Sequence, residues 1–270
     1  MHLVMRLPPA IGVVLLGLAA PAGADMDHAG MAMTETSVVH RPTDIVVASV
    51  GLVAASFSTP YFVGRYQGAA TTVSWTHGRV GVAASLPVYH LDENGLGLRG
   101  LGDAMLHAHA DLAAVPWGRV GVMTMVSVPT ADGQNGLGMG HWMAMPSVWT
   151  TAQIGRVALL ASVGYSRSLS GLEDMRGPLG TPMVMSIVDP MNMSEITWSG
   201  GATVEIGRGV SASGHAMGGH PVEAAGVERV IGAGRLGWSN QRVSTGVELQ
   251  AGLAGDPFTL RGVVDTAVRF

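Results

Sequence analysis

Apolar and polar residues alternate along the C-terminal part of the chain with the period of two that is typical of β-strands. One face of the last segment comprises Phe258, Leu260, Gly262, Val264, Thr266, Val268 and Phe270, and the other comprises Thr259, Arg261, Val263, Asp265, Ala267 and Arg269. The preceding segment repeats the pattern, with Val243, Thr245, Val247, Leu249, Ala251 and Leu253 on one face and Arg242, Ser244, Glu248 and Gln250 on the other. Apolar and charged faces on one strand are expected where lipid lies outside a barrel and water inside.

Short turns that carry arginine separate many of these segments. They read HGRVGVAAS at His77, WGRVGVMTM at Trp117, IGRVALLAS at Ile154, GRGVSASGH at Gly207 and NQRVSTGVE at Asn240. Such turns are typical of the tight periplasmic ends of hairpins, and the longer connections rich in Gly, Pro and Asp would lie outside the cell. The fold class that we predict is all-β, a closed antiparallel transmembrane β-barrel of about twelve strands.

The expected strands follow from the alternation and the turn signals. They are 46–58, 68–76, 79–90, 103–115, 119–129, 139–154, 156–168, 195–207, 210–219, 227–238, 241–253 and 258–270. The first is the least regular, because residues 46–55 are apolar on both faces. The longest connection, 171–194, is expected to be an extracellular loop.

The N-terminus has the features of an export signal. Arg6 precedes the apolar stretch from Ala10 to Ala20, and small residues end at Ala24, so we expect a signal peptide at 1–24, a periplasmic tail at 25–43 and the barrel at 44–270. A terminal aromatic such as Phe270 resembles the tag that barrel assembly machinery recognises. The predicted location is the outer membrane of a Gram-negative bacterium, with the lipid bilayer and that machinery as partners.

Composition narrows the possible functions. There is no second apolar run long enough for a spanning helix, and the chain contains no cysteine, so it has no disulfide or thiolate metal site. The net charge is −4 and every basic residue is arginine, which gives no broad basic surface for nucleic acid. Motifs such as GxSxG and HExxH are absent, and we therefore predict that the protein is not an enzyme.

Methionine and histidine are concentrated on faces that should point into the lumen. The candidate metal ligands are Met105, His107, His109, Met123, Met125, His141, Met143, Met145, His215 and Met217, with Met26, His28, Met31 and Met33 in the tail for metal capture. If neighbouring strands pair from their turns, His109, Met125 and Met143 form one lateral row, and His107, Ser127 and His141 form another. Thioether and imidazole are soft donors that favour Cu(I) or Ag(I) as a transient ion, although no cofactor is required. Two alternative interpretations are that methionine is a flexible filler of the interior and that the His and Asp side chains bond to one another.

Two stretches resemble a known family. GLGDAML from Gly100 and VPTADGQNGLGMG from Val128 to Gly140 look like the GLGD and PTGDG…LGTG motifs of the outer-membrane transporter-like family named for the meta-cleavage pathway of phenol degradation. Ala131 stands where the loop motif has glycine. The resemblance implies a barrel that moves small, often hydrophobic molecules, and it implies no catalytic residues.

The predicted function is thus passage or capture of a small solute, and the more specific prediction is that the solute is a copper or silver ion. One alternative is a channel for small hydrophobic or aromatic molecules. Another is a structural outer-membrane protein without transport.

Overall fold

The structure is a computed structural model that describes residues 44–59, 63–131, 136–169, 186–188, 191–223 and 226–270. The predicted signal peptide and tail, including Met26, His28, Met31 and Met33, lie outside the described residues. The same is true of most of the longest predicted loop. In the described ranges, no helix has the length and apolarity needed to cross a bilayer.

The described residues form thirteen strands that follow one another along the chain. Their bounds are β1 Asp44–Ser58, β2 Val63–His77, β3 Val80–Glu93, β4 Leu96–Leu101, β5 Ala104–Val115, β6 Gly118–Val128, β7 Met143–Ile154, β8 Val157–Ser168, β9 Ser194–Gly207, β10 Val210–Pro221, β11 Arg229–Ser239, β12 Val243–Ala254 and β13 Phe258–Arg269. All pairings are antiparallel. Each strand pairs with the next along the chain, except that β4 and β5 both pair with β3, and β1 pairs with β13 at the closure.

The sheet closes on itself as a barrel with twelve strand positions. β1 pairs with both β13 and β2, and β2 pairs with β3, so the ring has no open edge. The short strand β4 and the strand β5 occupy one position in the ring, because both pair with β3. β4 pairs with residues 88–93 of β3, and β5 pairs with residues 80–85. The prediction of twelve strands is therefore confirmed for the barrel.

The sequence prediction missed β4 as a separate strand. Asn94 and Gly95 have positive φ values of 49° and 85°, the conformation that a tight Asn-Gly hairpin turn requires. The turn folds β4 back onto β3. The largest differences in strand extent are in β2, which begins at Val63 instead of Gly68, and in β7, which begins at Met143 instead of Met139.

Exterior and interior faces follow the predicted alternation. On β13, Val264 is 45% exposed whereas Asp265 is 1% exposed, and β12 and β5 alternate in the same sense. A continuous apolar exterior around a polar interior is the arrangement of an outer-membrane barrel. The protein is therefore located in the outer membrane of a Gram-negative bacterium, with the bilayer against its outer wall.

The predicted orientation of Phe258 and Thr259 was wrong. Phe258 is buried and Thr259 is exposed, because the pairing between β1 and β13 shifts between Ser56 and Phe57. The irregularity rotates the first residues of β13, and the ring of Phe258 lies 4.3 Å from the Arg261 guanidinium inside the barrel.

Candidate functional site

A single buried carboxylate holds the two described ends of the connection between β6 and β7, residues 129–131 and 136–142, against the barrel. Asp103, which is fully buried, lies just before β5. Its Oδ1 accepts a hydrogen bond from the Ala131 backbone N–H at 3.1 Å, and its Oδ2 accepts one from the Met139 N–H at 2.6 Å. The backbones of Thr130 and Gly140 also donate to this carboxylate. Because these four backbone donors come from both described ends of the loop, Asp103 holds the two ends together.

Small residues make this arrangement possible. A Cβ on Gly138 would lie 2.5 Å from the Cβ of Ala131 and 2.7 Å from the Cγ of Asp103, so no other residue fits there without a shift. Thr130 adds a second tie, since its hydroxyl donates to the Gly102 carbonyl at 2.7 Å and accepts from the Ala104 N–H at 2.8 Å. The two stretches that carry the family resemblance thus form one structural unit.

The anchored loop and a second outer connection place apolar side chains inside the barrel. Leu137 joins the apolar cluster that contains Phe57, Tyr66 and Tyr89 of the barrel wall. Ile187 and Val188, which lie between β8 and β9, are buried in the same cluster with no exposed surface. The outer part of the lumen is therefore filled by loop residues that pack against the wall.

Methionine side chains form a separate buried cluster on the adjoining wall. The cluster comprises Met105, Met125, Met139, Met143, Met145 and Met191, each at most 5% exposed. Met105, Met125, Met143 and Met145 come from β5, β6 and β7, as the alternation predicted. Met139 and Met191 come from the two outer connections and were not among the predicted ligands. Met139 shares the face of His141 and Met143 in the predicted strand 139–154 but was not proposed as a ligand, whereas the segment before β9 that carries Met191 gave no periodic signal.

The lateral rows differ from the prediction. On adjacent strands His107 pairs with Met125 and Met125 with Met145, while His109 pairs with Met123 and Met123 with Ser147. The third row is Met105, Ser127 and Met143. Both pairings in the predicted rows were wrong. The pairing between β5 and β6 shifts between Asp111 and Ala113, which turn counting could not detect, and β6 meets β7 two residues further along than predicted, so that Met125 pairs with Met145 instead of Met143.

His141 lies in the anchored loop, between Met139 and Met143 of the methionine cluster along the sequence. It is 6% exposed. Its ring bonds to the Met139 backbone, whereas Nε2 is buried without a hydrogen-bond partner. Burial lowers the pKa of this imidazole, against the smaller effect of the bond to Met139. His141 is therefore neutral at pH 7, and one ring nitrogen retains its lone pair.

The hydroxyls of Ser127 and Ser147 are also buried on this wall without hydrogen-bond partners. Each belongs to one of the rows described above, between or beside methionine side chains. Buried polar atoms are satisfied in most proteins. Together with His141 Nε2, these hydroxyl oxygens provide lone pairs along the wall that no group of the described residues uses.

The opposite wall has a different chemistry. Asp265 accepts two hydrogen bonds from Arg235 at 2.5 and 2.8 Å, and Glu248 lies 3.9 Å from Arg235. Gln250 connects Glu248 to Arg261, which also reaches the Tyr66 hydroxyl at 3.5 Å. β12, at the centre of this charged wall, is six positions around the ring from β6, at the centre of the methionine wall.

His215 and Met217 point inward as predicted but do not join the methionine wall. The Nε2 of His215 is 3.9 Å from a Glu248 oxygen, which places this ring on the charged wall. Met217 packs in the apolar cluster instead. Of the predicted lumen ligands, the structure therefore brings together those on β5, β6 and β7 with His141.

No group of three or more His, Asp or Glu side chains among the described residues is arranged to hold a metal ion. The soft donors of the methionine wall are a different kind of set, because thioether sulfur supplies most of it.

Comparisons with known proteins return no matching family model and no matching curated protein. The solved structures that the chain resembles have low sequence identity to it. They include the NanC porin (12% identity, TM-score 0.49, 82% of this chain and 98% of that chain), the translocator domain of the autotransporter NalP from Neisseria meningitidis (12%, 0.48, 86% and 90%) and the CymD monoaromatic hydrocarbon channel (8%, 0.44, 85% and 88%).

Proposed function

We propose that this barrel captures a small solute at the outer membrane and that the solute is a soft monovalent ion, Cu(I) or Ag(I). The observation that carries the proposal is the methionine cluster, which gathers six buried thioethers from three strands and two loops. Apolar packing alone does not require one amino-acid type. Leucine, valine and aromatic residues fill the neighbouring cluster, so the segregation of methionine favours a chemical role.

The donors continue along the wall. Below Met105 and Met143 lies the row of His107, Met125 and Met145, and below that lie His109 and Met123. Inward-facing residues on one strand are two positions apart, a spacing of about 7 Å. An ion could therefore pass from one row to the next by repeated weak ligation, which is how a route allows release as well as binding.

The charge of the site suits a monovalent soft ion. Thioethers carry no charge. The oxygens of Asp103 are occupied by backbone donors, and the carboxylate of Asp111, two residues from His109, pairs with Arg119 at 3.3 Å. Hard divalent cations prefer charged oxygen ligands, whereas Cu(I) and Ag(I) prefer sulfur. The wall is thus selective by donor type.

Titration of the purified barrel with Cu(I) under reducing conditions tests this function. We expect the wild-type barrel to bind Cu(I) in competition with a chromophoric chelator. The variant in which His107 and His109 are both replaced by alanine should bind more weakly, and His215→Ala, on the charged wall, is the matched control. No binding by the wild type, or equal binding by the double variant, would contradict the proposal.

A second candidate solute is a small hydrophobic or aromatic molecule. The apolar cluster with Phe57, Tyr66 and Tyr89 supports it, because this cluster lines the outer part of the lumen. Membership of the phenol-degradation transporter-like family is part of the same proposal. In this case proteoliposomes should take up small aromatics faster than empty vesicles, with no effect of Cu(I) or of the histidine substitutions. A purely structural barrel would show neither activity.

A further inference from the structure

Two of the six clustered methionines belong to loops, and each loop is fixed by its own buried carboxylate. Met139 lies in the connection that Asp103 anchors, and its backbone N–H is itself one of the donors to that carboxylate. Met191 precedes Asn192, whose backbone N–H and side-chain amide donate to Glu195 at 3.3 and 2.6 Å. Each thioether is thus within one residue of the group that anchors its loop.

Both anchoring carboxylates, Asp103 and Glu195, are held by several hydrogen bonds. Glu195 is fully buried at the start of β9 and also accepts a hydrogen bond from Arg229 at 2.8 Å. The Asn192 amide is held further by Val227, whose N–H and carbonyl both bond to it at 2.8 Å. A Cβ on Gly219 would lie 2.5 Å from the Glu195 carboxylate, so this strand approaches the anchor as closely as Gly138 approaches Asp103.

We infer that Met139 and Met191 are ligands of the bound ion and that Asp103 and Glu195 are positioning residues, so that the soft-metal site is complete only when both outer loops are docked in the barrel. This inference rests on the proposed function. The strands supply one part of the donor set and the loops supply the outer part, together with His141 Nε2. Ion binding and loop docking would then stabilise each other.

Residues that do not touch the ion should also affect Cu(I) affinity. Replacing Asp103 by Asn removes the negative charge that draws the backbone donors of Ala131 and Met139 together, while the wall ligands remain. We expect Cu(I) affinity to fall roughly 10- to 100-fold, as is typical when a supporting residue of a metal site is changed. Met139→Leu and Met191→Leu, which keep the shape of the side chain, should each weaken binding at least about tenfold.

The experiment measures Cu(I) affinity by chelator competition, and the sulfur ligands of bound Cu(I) by X-ray absorption, for the wild-type barrel and each variant. Met217→Leu is the control, because Met217 is a buried methionine in the other cluster. We expect fewer sulfur ligands in Met139→Leu and in Asp103→Asn. We also expect Asp103→Asn combined with Met139→Leu to be less harmful than the sum of the two changes, since Asp103 acts through Met139.

The outcomes separate the two proposals. If Met125→Leu and the histidine variant lose affinity while Met139→Leu and Met191→Leu bind as the wild type does, the loop ligands are wrong and the wall site stands. If the wild type binds no Cu(I), the proposed function fails and the loop ligands fail with it. Should Asp103→Asn fail to fold, Met139→Leu still decides the matter, because its side chain is replaced by one of similar volume.

Discussion

At the scale of single residues, the space around Gly138 explains why the outer loop can dock. Its hydrogen atoms face Asp103 and Ala131, and both of these groups are held by other contacts. The Ala131 methyl, which stands where the family motif has glycine, fits only because position 138 has no side chain.

Gly138→Ala should consequently destabilise the loop and the barrel. Overpacking at a site that cannot relax costs about 1–3 kcal/mol, and the change should lower the urea midpoint of unfolding measured by electrophoretic mobility. Gly234→Ala is the matched control, because a Cβ there meets nothing within 4 Å. Equal midpoints for the two variants would mean that position 138 accommodates a methyl group without strain.

At the scale of elements, the connection between β6 and β7 is fixed to the wall by side chain as well as by backbone. Thr130→Val removes a hydroxyl that bridges the Gly102 carbonyl and the Ala104 N–H. Leaving such partners unsatisfied costs about 1–3 kcal/mol. We expect faster cleavage between Pro129 and Trp142 by a protease of broad specificity, located by mass spectrometry.

Thr150→Val serves as the control for that experiment, because the Thr150 hydroxyl makes one exposed bond, to the Arg119 carbonyl. Both variants exchange the same atoms, and only the first touches the docked loop. A cleavage rate for Thr130→Val that matches the control would show that Asp103 alone holds the segment.

The elements also show how far the sequence could be interpreted. Alternation predicted which residues of β5, β6 and β7 face inward, because the period of two is fixed by strand geometry. It could not predict the rows across strands, because the irregularity near Asp111 shifts the pairing between β5 and β6 and the pairing between β6 and β7 differs from the predicted one by two residues. It could not place Met191, whose position depends on the hydrogen bonds between Asn192 and Glu195, and it assigned Met139 to a strand, whereas Met139 lies in a loop that Asp103 anchors.

At the scale of the whole molecule, the barrel separates three environments by the direction of its side chains. The exterior is apolar, one inner wall is charged and the opposite inner wall carries thioethers. The buried pair of Arg235 and Asp265 is compensated by two short hydrogen bonds, which a charge needs when it leaves water. Charges are therefore tolerated inside and should be costly outside.

Arginine substitutions along the outer face of β13 measure that cost. Val264 lies near the middle of the strand and is 45% exposed, whereas Val268 lies next to its C-terminal end and is 37% exposed. A charge at the bilayer midplane costs about 2–4 kcal/mol, and one near the interface costs about 0–1 kcal/mol. We expect Val264→Arg to lower the free energy of unfolding in lipid vesicles by the larger amount and Val268→Arg by the smaller. Equal effects, or a smaller effect at Val264, would contradict the position that the alternation assigns to the membrane.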